Sequence, residues 1–203
     1  PGRSGLATSG LETGLITPRT PGKLRVEVPA GTIDIEYGVE GDRVAWVRIR
    51  NVPSYLAAED IEIDVPGFGR LKVDVAYGGN YYAIVEPQGP YIGLDALGAS
   101  RIVDLSRTVR SLMQKVCEPV HPVDERIRGV SHVMWTDRPR GEGADGRNAV
   151  FYGERAIDRS PCGTGTSARM AQLVARGRLQ VGDRFVHESY IGRRFIGRVE
   201  DRA

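Results

Sequence analysis

The sequence predicts an α+β fold of mostly antiparallel strands with two helices, and three observations carry that prediction. Apolar and polar residues alternate along most of the chain from Lys23 onward, the period of half-buried strands. Glycine-containing turns separate the alternating runs at short intervals. Only two stretches change to a helical period, and the second begins directly at a cysteine.

KLRVEVPAG and TIDIEYG, with Gly31 between them, read as a β-hairpin. VAWVRIRNV (44–52) is a further strand, closed by Pro53. DIEIDVPGFG (60–69) and RLKVDVAYGGNYYAIVE (70–86) supply three more, the last two joined at Gly78-Gly79-Asn80, where Asn80 reads as a turn residue tolerant of positive φ. In DLSRTVRSLMQKVCE (104–118), Val109, Leu112, Met113 and Val116 fall on one helical face, capped by Asp104 or Ser106. Cys117 at its end reads as a small buried hydrophobe. IRGVSHVMW (127–135) and RNAVFYG (147–153) are strands around the polar loop TDRPRGEGADG. In TSARMAQLVARG (166–177), Met170, Leu173 and Val174 form the apolar stripe, Ala168 and Ala171 allow close packing, and Gly177 ends the helix. RLQVGDRFVHESYIGRRFIGRVE (178–200) returns to strand alternation. The first twenty residues are rich in Gly, Ser, Thr and Pro and read as poorly anchored. The expected division is 1–56 and 57–203.

Composition narrows the function classes. The net charge of +2 comes from scattered basic residues, so no nucleic-acid footprint is expected. No run reaches the roughly 18 apolar residues of a membrane span, and no leader-like apolar segment opens the chain. The two cysteines, Cys117 and Cys162, make no disulfide framework, so the expected compartment is the cytoplasm with free thiols. His121, His132 and His187 lie too far apart for a local metal motif. His121 and His187 read as structural.

The chemistry concentrates in IDRSPCGTGT (157–166). Cys162 stands at the start of a helix, where unpaired amides and the helix dipole favour negative charge. A thiol there is expected to have a lowered pKa. The backbone N–H groups of Gly163, Thr164 and Gly165 can hold a carboxylate, which glycine lets approach closely. Asp158 can accept a hydrogen bond from an ammonium or imino group. Together these parts fit an α-amino acid with a sulfur near its Cα–H. A tight-turn role for Cys162 is the plain alternative, although Cys is a poor N-cap. His132 reads either as a ligand contact or as a buried core histidine.

DRSPCGTGTSARMAQL resembles the second catalytic signature of the proline racemase family. VHESYIGRRFIGRVE, GVSHVMW, DVAYGGNYYAIVE and LETGLITP follow the family's order of segments, so the resemblance covers nearly all of the chain. It is nearest to the 4-hydroxyproline epimerase branch. The resemblance implies a diaminopimelate epimerase-like fold of two lobes, each wrapping strands around a helix that starts at a catalytic cysteine. It implies two thiols facing each other across the substrate Cα, with no cofactor, neither pyridoxal phosphate nor metal. Carried over, Cys162 is one thiol, His132 and Asp158 contact substrate, and Gly163 and Thr164 hold its carboxylate.

The implied reaction converts trans-4-hydroxy-L-proline to cis-4-hydroxy-D-proline. Proline racemisation and a non-catalytic amino-acid-binding lobe are the alternatives. A dehydratase is disfavoured because the resemblance implies Thr where Cys162 stands, and a redox thiol lacks a nearby resolving cysteine. The expected partner is a small-molecule imino acid, with no nucleic acid or membrane, and a homodimer stays open. The family's first signature, a Met-Cys-Gly-His stretch, is absent ahead of LETGLITP. The chain is therefore expected to be the second lobe with a remnant of the first, and inactive alone.

Overall fold

The computed structural model describes residues 2–201, which form two compact units divided between Val52 and Pro53. In the first, helix α1 (Gly2–Glu12) is followed by an antiparallel sheet of β1 (Lys23–Val28), β2 (Gly31–Glu40) and β3 (Arg43–Arg50), in that order. Weak anchoring at the start is not what the structure shows. Ala7, 3% exposed, packs with Ile33 and Ile35 of β2, and Glu12 Oε1 accepts the Val44 N–H at 2.9 Å. This packing overrides the poor helix propensity of a Gly- and Ser-containing segment. Pro1, Arg202 and Ala203 lie outside the described residues.

The second unit holds β4 (Tyr55–Val65), β5 (Gly69–Tyr77), β6 (Tyr81–Val85), α2 (Leu94–Val116), β7 (His132–Asp137), β8 (Gly146–Tyr152), β9 (Ala156–Ile157), α3 (Gly163–Ala175), β10 (Arg184–Ser189) and β11 (Arg194–Arg198). Its sheet runs β11-β10-β8-β7-β6-β5-β4, with β9 added on β8. Two pairs are parallel, β6 with β7 and β8 with β10; the rest are antiparallel.

Helix α3 packs against β4, β5 and β6, and also against β11 at the opposite end of the strand order. The sheet must therefore curl around α3, which gives the expected α+β lobe wrapped on a helix. Two glycines permit the close approach. A Cβ on Gly78, in the β5–β6 turn, would meet the Thr164 carbonyl oxygen and the Ala168 nitrogen of α3. One on Gly197 of β11 would run into Met170 Sδ. α2 packs against β7, β4 and β8.

α2 starts ten residues before the expected helix. Its N-cap is Gly93, and Gly98 (φ 71°, ψ 161°) interrupts it. The expected caps have other duties: Ser106 is wholly buried inside the helix, where its Oγ accepts the Trp135 indole N–H at 2.8 Å. The strand expected over 127–135 begins only at His132, because Ile127, Arg128 and Gly129 turn back toward residues 119–121.

Candidate active site at the start of helix α3

Cys162 is the N-cap of α3, held at φ 64°, ψ 114°. Apart from Asp60 it is the only non-glycine residue at positive φ among those described. A side chain held in so sparsely populated a region marks a position that its surroundings over-determine, and here those surroundings can be named. The Asp158 carboxylate accepts the Ser160 amide at 2.8 Å and the Ser160 hydroxyl at 2.9 Å. Ser160 Oγ in turn accepts the Cys162 N–H at 3.1 Å. Behind the loop, the Pro161 carbonyl accepts from Asn148 Nδ2 at 2.8 Å and Thr166 Oγ1 at 3.3 Å. His187 Nδ1 lies 3.0 Å from Thr166 Oγ1 and 3.1 Å from Asn148 Nδ2, completing a buried polar brace. The first helical bond, Thr166 N–H to the Cys162 carbonyl at 2.7 Å, leaves the amides of Gly163 and Thr164 ahead of the ladder.

The thiol itself is 8% exposed and sits in a cluster with Ala76, Tyr82, Ile84, Met134, Val150 and Ala168. Burial pushes its pKa up; hydrogen bonds from Tyr82 and the Gly165 amide oppose that and lose. The lowered pKa expected from the helix start alone is thus corrected. Helix-terminus stabilisation is small beside the cost of desolvating an anion.

Four of the residues singled out by sequence border this thiol directly or through one neighbour. Thr164 Oγ1 is 3.9 Å from Sγ. Gly163 is exposed, with open space where a Cβ would stand. Asp158 anchors the loop as described. His132, on β7, stands in register with Tyr82 of β6, their rings 4.8 Å apart. Burial, with Arg110 adding to it, drives the His132 pKa down to about 4, and Asp158 opposes the shift. His132 is neutral at pH 7, with Nδ1 2.7 Å from Ser131 Oγ.

Tyr82 is the residue the sequence reading missed. Wholly buried, it brings its hydroxyl to 3.3 Å from Cys162 Sγ and 2.6 Å from Thr164 Oγ1. Asn80 closes the turn, its carbonyl accepting the Gly78 N–H at 3.1 Å, but the positive φ expected there is taken by Gly79 at 110°. Tyr82 offered one signal, its place in the strand that follows the glycine turn, but YYAIV is buried at every position and hides which face looks at the site.

His121 is structural, its Nδ1 accepting the Val123 and Asp124 amides at 3.3 and 3.2 Å. Cys117 closes α2, half-buried, with its pKa raised by burial. Among the described residues, no group of three or more His, Cys, Asp or Glu side chains could hold a metal, and no helix is long and apolar enough to cross a membrane.

Fold and site define a class of protein: an α+β lobe curled around a helix, with a buried thiol at the mouth of that helix. The family is then given by comparison, because the description "Proline racemase" matches residues 2–203, and the chain belongs to the proline racemase family. It is 57% identical over 202 residues to 4-hydroxyproline 2-epimerase 2 of Rhizobium rhizogenes, covering 100% of this chain and 61% of that protein. It is 54% identical to the 4-hydroxyproline 2-epimerase of Shewanella loihica, covering 98% of this chain and 60% of that one. A crystal structure of a hydroxyproline epimerase from Agrobacterium vitis, with bound trans-4-hydroxy-L-proline, superposes with a TM-score of 0.86 at 32% identity. That match covers 97% of this chain and 56% of the other. The chain thus spans about three fifths of the length of the curated relatives it matches.

Proposed function

We propose that this chain is the Cys162-bearing lobe of a 4-hydroxyproline 2-epimerase, interconverting trans-4-hydroxy-L-proline and cis-4-hydroxy-D-proline. The observation that carries this reading is a single buried thiol set at a helix start beside two amides that precede the helical ladder. The relatives' names and the bound trans-4-hydroxy-L-proline of the structural neighbour support the substrate class.

In this reading the substrate carboxylate is held by the Gly163 and Thr164 amides, where the dipole favours an anion. Asp158 Oδ1 is occupied by Ser160, so Oδ2 is the oxygen for the ring nitrogen. Neutral His132 lines the same face. Cys162 Sγ then meets Cα. Burial keeps Cys162 as the thiol, the form that delivers a proton to a carbanion. In the reverse direction the same sulfur must remove one, and the Gly165 amide and Tyr82 hydroxyl support that thiolate.

Inversion needs a second carrier on the opposite face of Cα. We place it in the part of the relatives' length that this chain does not span. The unit that ends at Val52 is then the remnant of the first lobe, and the unit that begins at Pro53 the second lobe. Chiral chromatography of trans-4-hydroxy-L-proline incubated with the protein at the relatives' full length tests the reading. Appearance of cis-4-hydroxy-D-proline without added cofactor supports it; an unchanged substrate overturns it. Preferential turnover of L-proline would instead favour a proline racemase.

A further inference from the structure

The hydroxyl of Tyr82 has two partners, Thr164 Oγ1 at 2.6 Å and Cys162 Sγ at 3.3 Å. A phenol has one proton to give and two lone pairs to offer. The short bond with Thr164 already satisfies the buried hydroxyl, so the longer contact with sulfur is not needed to keep the tyrosine buried. The ring is fixed by its backbone register with His132 and by contact with that imidazole. The hydroxyl is therefore held at one place beside a sulfur that must alternate between two protonation states.

We propose that Tyr82 and Thr164 form a reorientable hydroxyl relay that holds Cys162 in both its thiolate and its thiol form. This rests on the reading of Cys162 as a proton carrier. With sulfur as thiolate, Thr164 O–H donates to Tyr82 Oη and Tyr82 O–H donates to Sγ. When Cα gives up its proton, the C–H bond breaks, its electron pair stays on carbon, and the proton forms the S–H bond. The hydroxyls then rotate: Tyr82 O–H turns to Thr164 Oγ1, and its freed lone pair faces the thiol. No proton passes through the relay, and no heavy atom moves. The reverse step runs the same rotations backward, which suits a sulfur that works as acid in one direction and base in the other. Burial raises the pKa of both Tyr82 and Cys162, so the phenol keeps its proton while the sulfur titrates.

The test is an NMR titration of 13Cβ-cysteine in the 203-residue chain, with Cys117→Ser to leave one thiol. Tyr82→Phe should raise the Cys162 midpoint by about one pH unit, because a hydrogen bond to an anion is stronger than one to its neutral form. Tyr81→Phe should leave it unmoved, since the Tyr81 hydroxyl pairs with that of Tyr55 at 2.7 Å rather than with the sulfur. Replacing Tyr82 by 3-fluorotyrosine, a stronger donor of nearly the same shape, should lower the midpoint, and it reports even where Tyr82→Phe fails to fold. A midpoint unchanged by either replacement of Tyr82, or moved as far by Tyr81→Phe, overturns the relay. The titration needs no substrate, so failure of the epimerase reading would show separately, in the absence of turnover.

Discussion

Gly78 lies against Thr164 so closely that a Cβ would come within 2.1 Å of the Thr164 carbonyl oxygen and 2.6 Å of the Ala168 nitrogen. Both atoms belong to the backbone of α3 and cannot swing aside. Gly78→Ala should therefore push the start of α3 away from the β5–β6 turn. It should destabilise the chain by about 1–3 kcal/mol, the usual cost of overpacking. Gly163→Ala, which meets open space, should cost less than 1 kcal/mol or stabilise the helix. Urea unfolding of the two variants checks the contrast.

Alkylation should follow access. Cys162 is almost wholly covered, whereas Cys117 is half-buried at the end of α2, and burial raises the pKa of both. In the folded chain at neutral pH, iodoacetamide should modify Cys117 first, with Cys162 labelled fully only after unfolding. Mass spectrometry of a labelling time course reads this. Faster labelling of Cys162 would mean that its surroundings open readily or favour the thiolate.

Arg169 is a buried charge whose removal from its partner should be felt. It is 7% exposed and donates to Glu86 Oε1 at 2.6 Å and Gln172 Oε1 at 2.5 Å. Gln172 Nε2 continues to Asp74 at 2.6 Å, and Arg176 closes the network at 2.7 Å. Glu86→Ala should cost about 3 kcal/mol, because it leaves a buried guanidinium short of its anion. Glu86→Ala combined with Arg169→Met should cost less than Glu86→Ala alone, since an apolar pair removes the unpaired charge. A double-mutant cycle by thermal unfolding decides.

Acid should destabilise the chain through two histidines. Burial lowers His187 to about 3 and His132 to about 4, well below an unfolded histidine. Below about pH 6.5 the unfolded chain binds protons that the folded chain refuses, so stability is full above that pH and is lost as pH falls toward the folded values. The slope can reach about 1.4 kcal/mol per pH unit for each histidine. The urea midpoint should fall between pH 6.5 and 5, a window above carboxylate titration. A midpoint that stays level across it would contradict the burial of these imidazoles in neutral form.

Much of the succession of strands along the chain was legible because glycine turns interrupt the alternation, as at Gly31 and at Gly78-Gly79; their order across the sheet was not. The α3 boundaries were legible too, since Met170, Leu173 and Val174 face β11 and the region of Phe185 while Cys162 marks the start. The first ten residues of α2 were not, because Gly98 breaks the helical period and the apolar face resumes only beyond it. The helix α1 was illegible for a related reason: its support is tertiary, from the packing of Ala7 and the Glu12–Val44 hydrogen bond. At the site, the sequence pointed to the residues that share a local segment with Cys162. It could not point to Tyr82, Asn148 or His187, which reach that segment from β6, β8 and β10 through tertiary packing alone. Nor could it weigh burial against the helix dipole at the thiol, because burial is a property of the folded cluster.

The claim on which the rest depends is that Cys162 carries the Cα proton. It is tested most directly by following the Cα–H signal of cis-4-hydroxy-D-proline and of trans-4-hydroxy-L-proline by proton NMR in deuterated water. The protein is used at the relatives' full length, with Cys162 and as Cys162→Ser. With Cys162, each substrate should lose its Cα–H signal as the other isomer appears deuterated. In Cys162→Ser inversion should fall by at least about a thousandfold, because a serine hydroxyl is far too weak an acid to exchange this proton at neutral pH. Undiminished inversion by Cys162→Ser would contradict the account.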